Sequence, residues 1–433
     1  MKLKLVVASM SVLGLISGSV FADTQTMKHK RHHKKMHKIS HHRAVESHDY
    51  KAMGGLPVQP APVVMVDTSQ LIYDAMSQNS GRGKPMPDWF NRIGVSGGVN
   101  FDARWGNRSQ GYMGENNQRL SLNDAYVNLA ATVNDWAKGF ASLSFNSTSP
   151  VNGLMGGQYS SAYTNNQLNL EQGYLTIANY DQSPLFFQVG KQFTDFGRYT
   201  IHPITRSMAQ VLTESLVTSA KLGFITKMGL HGDIYAFSNP STQVGIAHSK
   251  SVYGAAIGYD QINDQLGFDV GVGYMSNMLG VNDVNASLET AGNYIHTVGA
   301  VAVYGDVNSG PFNIGARYVS AIQRFSPNDI STTFEGTANT LSGAKPWAAD
   351  ITAGFGFNNM GKNQNVYLGY QTSNNAVNIA LPKNRWLVGY NVDMWRNTNV
   401  GLEVAHDTAY SSGNGGSGNS SNIVTARAGV KFG

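Results

Sequence analysis

Four histidines set four residues apart, His29, His33, His37 and His41, are the first residues in the chain whose spacing could do chemistry. On a helix they would share one face, where neighbouring imidazoles could hold a divalent metal ion weakly. Lys30, Lys34 and Lys38 lie among them and would repel a cation. The competing reading is a basic tail drawn to anionic lipid heads or cell-wall polymers. Gly94-Val95-Ser96-Gly97-Gly98 fits G-x-S-x-G, whose serine is a nucleophile only at a strand–turn–helix elbow. H-E-x-x-H, a phosphate-binding glycine loop and a paired acidic metal motif are all missing from the sequence. His202, His231, His248, His296 and His406 are scattered. The remaining chemistry is electrostatic. Arg198, His202, Arg206, Glu214 and Lys221 share one stretch, while Asp102, Arg104, Arg317, Asp350 and Glu403 are spread along the chain. They could act together on a solute only if the fold gathers them.

The elements that would do so are strands. In Arg92 to Trp105, Ile93, Val95, Val99, Phe101, Ala103 and Trp105 share one parity, and Ser96, Asn100, Asp102 and Arg104 the other. Period two without a slip marks a strand whose faces meet different solvents. G-x-S-x-G falls inside this strand, so its glycines suit close strand packing rather than an elbow. Comparable alternation returns about every twenty residues to the end of the chain, as a membrane-spanning barrel with a wet interior requires.

Composition agrees. Charged residues are 14% of the 433, against roughly 25% in ordinary soluble domains, while Gly (48) and Tyr (20) are abundant. After residue 22 no run approaches the roughly 20 apolar residues of a transmembrane helix. Strands that show hydrocarbon at every second residue need neither charge nor apolar runs. Cysteine is absent, so the fold owes nothing to disulfides, and a lipoprotein anchor is excluded. The net charge of +5 belongs to the segment Lys28–Lys51, and the body beyond it is near neutral. That argues against a nucleic-acid partner.

Lys2 and Lys4 precede an apolar run that ends at Val20-Phe21-Ala22, the pattern of a signal peptide over residues 1–22. A His/Lys-rich tail (23–51) follows. A Pro-rich linker (52–91) comes next, with a short amphipathic helix at 67–78. Residues 92–433 form the barrel. The spacing predicts sixteen strands, at 92–105, 119–133, 137–149, 169–178, 185–196, 219–226, 230–238, 251–260, 266–276, 294–304, 312–322, 346–357, 365–373, 385–394, 400–409 and 422–432. Connections after odd strands are long and those after even strands short, as when one rim faces outward and the other the periplasm. Both barrel termini then fall on the short-turn side, which places the N-terminus in the periplasm. Trp105, Trp136, Tyr274, Phe312, Trp347, Trp386, Trp395 and Phe432 lie near strand ends, where aromatic rings mark the lipid–water boundary. The final segment resembles the closing strand of bacterial outer-membrane proteins, whose terminal aromatic is read by the barrel-insertion machinery. Here Phe432 is penultimate.

The loop at 197–218 reads as helical from Arg206 to Val217, with Ala209, Val211, Leu212 and Leu216 apolar. It occupies the place of the third outer loop, which in sixteen-stranded porins folds inward and narrows the channel. Its charges could then face solute beside the wall residues named above. Alternatively, Arg206 and Glu214 pair and hold the loop to the wall.

VGKQFTDFGRY (189–199) followed by SMAQVLTESLVTSAKLGF (207–224) resembles the siderophore porins of the LbtU type. The matching residues are "GKQ…FG", "Q-x-L-T-E-[ST]" and the following "LGF". The resemblance implies an all-β, sixteen-stranded antiparallel transmembrane barrel that admits an iron–siderophore complex by facilitated diffusion. It implies no cofactor and no bond-making chemistry. The alternatives are a general diffusion porin for small hydrophilic solutes and, from another class, an outer-membrane hydrolase or adhesin. Porins commonly assemble as homotrimers, and the same state is an expectation for this chain.

Overall fold

The computed structural model describes residues 93–106, 118–145, 168–180, 182–198, 204–226, 228–261, 266–332, 342–395 and 397–432. The expected signal peptide, tail, linker and helix at 67–78 lie outside them, as do His29, His33, His37, His41 and His202.

Sixteen strands close into one barrel: β1 (Ile93–Gly106), β2 (Gln118–Thr132), β3 (Ala137–Phe145), β4 (Leu168–Ala178), β5 (Leu185–Phe193), β6 (Leu216–Ile225), β7 (Leu230–Ser238), β8 (Ser251–Gln261), β9 (Gly267–Met275), β10 (Ala300–Ser309), β11 (Phe312–Ala321), β12 (Trp347–Asn359), β13 (Lys362–Asn374), β14 (Asn384–Trp395), β15 (Thr398–Thr408) and β16 (Ser420–Phe432). Each runs antiparallel to the next, and β16 returns to pair with β1. At that seam Asp102 stands directly opposite Arg427, and the two are joined by bonds of 2.7 and 2.8 Å.

The two faces are as period two requires. On β11, Phe312, Ile314 and Tyr318 are exposed on the outside, while Asn313 and Arg317 are buried on the inside. The aromatic residues near strand ends are largely outward, Trp386 and Trp395 by 61% and 69%. Connections alternate as expected. The turn between β12 and β13 is Met360-Gly361, both with positive φ (54° and 70°), the pairing that fits strand twist in a two-residue hairpin. Ser96 lies within continuous β1, so G-x-S-x-G has no elbow. A Cβ at Gly97 would stand 2.4 Å from Phe432 Cζ, so this glycine admits the closing strand.

Two expectations are corrected. The tenth strand begins at Ala300, about six residues later than the spacing predicts. Tyr294 and Val298 are fully buried in a core built by the long loops, so their apolar character answers to that core and not to lipid. The loop helix is also shorter. Only α1 (Met208–Val211) is α-helical, and Leu216 already opens β6. Thr213 Oγ1 turns back to the Ala209 carbonyl at 2.8 Å, and Ser215 Oγ is drawn to the Gly280 carbonyl at 2.6 Å.

A shared core ties several of the long connections together. Met208 and Val211 of α1 and Leu212 at its C-terminal cap pack with Met278, Leu279, Val281 and Val284 of the 276–299 loop, which carries α2 (Asn282–Ala286). Ile330, Ile379, Leu381 and Tyr410 complete it from three further loops. Burying a Leu- or Met-sized side chain is worth about 1.5–3 kcal/mol, so these loops hold one another in place.

Candidate functional site: a charged loop inside the barrel

Between β5 and β6 the described stretches 194–198 and 204–215 make contact with inward-facing wall residues. The first arm is held by Lys221 on β6, whose Nζ lies 2.5 Å from Asp195 Oδ2. Burial would raise the Asp195 carboxyl. The Lys221 ammonium, with hydrogen bonds donated by Asp233 and Lys221, outweighs burial and holds it below the ordinary carboxylate range. Farther on, Arg198 reaches Asp269 on β9 at 2.8 Å and lies 5.5 Å from the centre of the Tyr304 ring.

The second arm docks on the opposite wall. Glu403 on β15 accepts the backbone N–H of Ile204 (2.7 Å) and of Thr205 (3.3 Å), together with the Thr205 hydroxyl (2.6 Å). Tyr367 on β13 steadies the carboxylate at 2.8 Å. Ser207 caps α1 by accepting from Gln210 N. The first N–H groups of α1 point at the wall, Met208 to Gln371 Oε1 (3.2 Å) and Ala209 to Asp350 (3.1 Å). A carboxylate at orphan helical N–H groups is a favourable pairing. Arg206 Nη2 bridges Glu214 at 3.0 Å and Asp283 of α2 at 2.6 Å, tying this loop to its neighbour.

The fold therefore gathers most of the charges picked out in the sequence, with partners now assigned. Asp350 and Glu403 hold the loop. Arg206 and Glu214 pair, as the alternative reading has it. Lys221, Arg198 and Asp102 each have an opposite charge. Arg317 on β11 makes two bonds to Asp306 and donates Nε to the Arg198 carbonyl at 3.0 Å. Arg104 differs: among the described residues it forms no ion pair, and its Nε is buried without a hydrogen-bond partner.

Sequence reasoning missed Asp269, Asp283, Asp306, Arg427, Gln371, Tyr367 and the Arg385–Asp407 pair, joined at 2.5 Å. Asp306 fell beyond the predicted tenth strand, so its parity could not be read. Asp269 could have been found, because Val270, Val272 and Tyr274 face outward and Asp269 has the opposite parity. Q-x-L-T-E takes on a structural meaning. Gln210 donates to Glu214 at 2.9 Å, and Thr213 closes α1.

No family model matches the chain. It is 25% identical over 355 residues to the UPF0422 protein of Coxiella burnetii, covering 81% of this chain and 71% of that protein. A UPF0422 protein of Legionella pneumophila (strain Philadelphia 1) is 27% identical over 345 residues, which are 72% of this chain; the chain spans 62% of that relative's length. In three dimensions it is similar to the anion-selective porin from Comamonas acidovorans, with a TM-score of 0.52 at 10% identity, over 78% of this chain and 99% of that one. The fold is thus porin-like, a closed sixteen-stranded antiparallel barrel. The structural likeness bears out the barrel fold that the sequence resemblance implies; passage of solutes and a siderophore cargo are proposals.

Proposed function

We propose that the chain is a bacterial outer-membrane channel that lets small hydrophilic solutes diffuse across, making and breaking no bond. One observation carries this reading: a loop enters a closed, polar-lined barrel and is fixed there by Glu403 and Asp350 through backbone N–H groups. A loop fixed inside the barrel would narrow a passage there, and charges at such a narrowing act strongly on ions. Exposed apolar side chains around the outside supply the lipid-facing band. In this reading the short-turn rim and both barrel termini face the periplasm, and the assembly is a homotrimer.

A ferric siderophore is the cargo that the resemblance at 189–224 implies. Mixed charge on the inner wall fits a general diffusion porin equally. The His-rich tail at 29–41 would add a weak divalent-metal site on the periplasmic side. Planar-bilayer recordings of the purified protein test the whole reading. Stepwise currents are expected, and block by a micromolar ferric siderophore assigns the cargo. Steps without block assign general diffusion, and an absence of steps favours a hydrolase or adhesin.

A further inference from the structure

Three carboxylates stand shoulder to shoulder on the inner wall. Asp260 on β8 is directly opposite Asp269 on β9, which is directly opposite Asp306 on β10. Like charges in directly opposed positions destabilise a sheet, because their Cβ atoms lie only about 5 Å apart. Each is answered by one cationic or cationisable group. Arg317 binds Asp306 at 2.7 Å, Arg198 binds Asp269 at 2.8 Å, and His231 Nδ1 is 3.3 Å from Asp260.

The three counter-groups converge on Tyr304. Arg198 and Arg317 lie 5.5 and 5.9 Å from its ring centre, and His231 Nε2 is 3.5 Å from its hydroxyl. Room for the ring comes from two glycines, Gly258 and Gly271, where a Cβ would stand 2.7 and 2.4 Å from the Tyr304 hydroxyl. Two of the counter-groups, Arg317 and His231, belong to the wall. Arg198 alone of the three is carried by the inward loop, and its side chain keeps 24% of its surface open while that of Asp269 keeps 6%.

We infer that this carboxylate row is an ion filter in the lumen and that loop-borne Arg198 sets its sign. The inference rests on the channel reading above. With Arg198 seated, one of the three carboxylates is cancelled by the loop itself. With Arg198 removed, the row gains one uncompensated negative charge in a wall of low dielectric, and cations are favoured.

The test measures reversal potentials across a salt gradient for the parent, Arg198→Gln, Asp269→Asn and the double variant. Arg198→Gln should raise the cation-to-anion permeability ratio at least about twofold. Asp269→Asn should lower it, and the double variant should return it close to the parent value. A conducting Arg198→Gln channel with the parent ratio overturns the inference, as does Asp269→Asn moving the ratio upward. If Arg198→Gln yields no channels, Asp269→Asn decides alone: a fall supports the filter and an unchanged ratio ends it. Parent protein that gives no current steps removes the channel reading and the filter with it.

Discussion

Asp350 and Ala209 are 141 residues apart in the chain, yet the Ala209 N–H donates to the Asp350 carboxylate at 3.1 Å. That bond joins the barrel wall to the helix folded within it. It gives an acidic wall residue a task its sequence position does not disclose: Asp350 sits opposite Arg317 in register but serves α1, while Arg317 turns to Asp306.

The loop's dock depends on a glycine. A Cβ at Gly389 would stand 2.0 Å from Tyr367 Cζ, so Gly389→Ala must displace the ring that bonds Glu403 at 2.8 Å. We expect a folded barrel whose single-channel current is larger and noisier. Tyr367→Phe, which loses the hydroxyl and keeps the ring, should give a weaker form of the same change.

Reversing the charge at Arg206 would bring three carboxylates together, with Glu214 and Asp283 as the others. Arg206→Glu should shift ion selectivity toward cations while the barrel stays heat-resistant on gels. Unchanged selectivity would take this residue out of the constriction.

Leu212 is fully buried in the loop core and outside the strands. Leu212→Ala should cost about 2–5 kcal/mol there. The expected readout is faster proteolysis within the long loops, with barrel melting little altered. Protease resistance equal to the parent's would show that the core does not depend on α1.

Acid should spare the first arm of the loop. Asp195 has its carboxyl lowered from 3.8, so its contact with Lys221 contributes fully above the ordinary Asp range. That contribution is lost only as the pH falls through the lowered value. In Lys221→Met burial acts on the Asp195 carboxyl without its counter-charge and raises it, so the stability gap between the parent and this variant should be widest near about pH 8 and narrow as the pH falls toward about 4. A gap that stays constant across that interval would contradict the pairing.

How much of this could be read in advance follows from what sequence patterns encode. Strand positions were legible because each outward face must be apolar at every second residue, as in Ile93, Val95 and Phe101. The tenth strand slipped because Tyr294 and Val298 serve a loop core whose burial looks the same in sequence as contact with lipid. The inward loop was legible from its place after the fifth strand. Its helix was overextended because Leu216 fits the periodicity of either element. Which charges pair was not legible. Pairing depends on strand register, and register sets Asp260, Asp269 and Asp306 side by side although 46 residues separate the first from the last.

Single-channel conductance of the Asp350→Ala/Glu403→Ala double variant bears most directly on the claim that a docked loop narrows a channel. Charge-assisted hydrogen bonds of this kind are worth about 1.5–3 kcal/mol each, so losing both anchors should free the second arm. Stepwise currents are expected from the parent and larger steps from the variant at the same salt and voltage. Steps of equal size in both proteins would show that the docked loop does not narrow the passage.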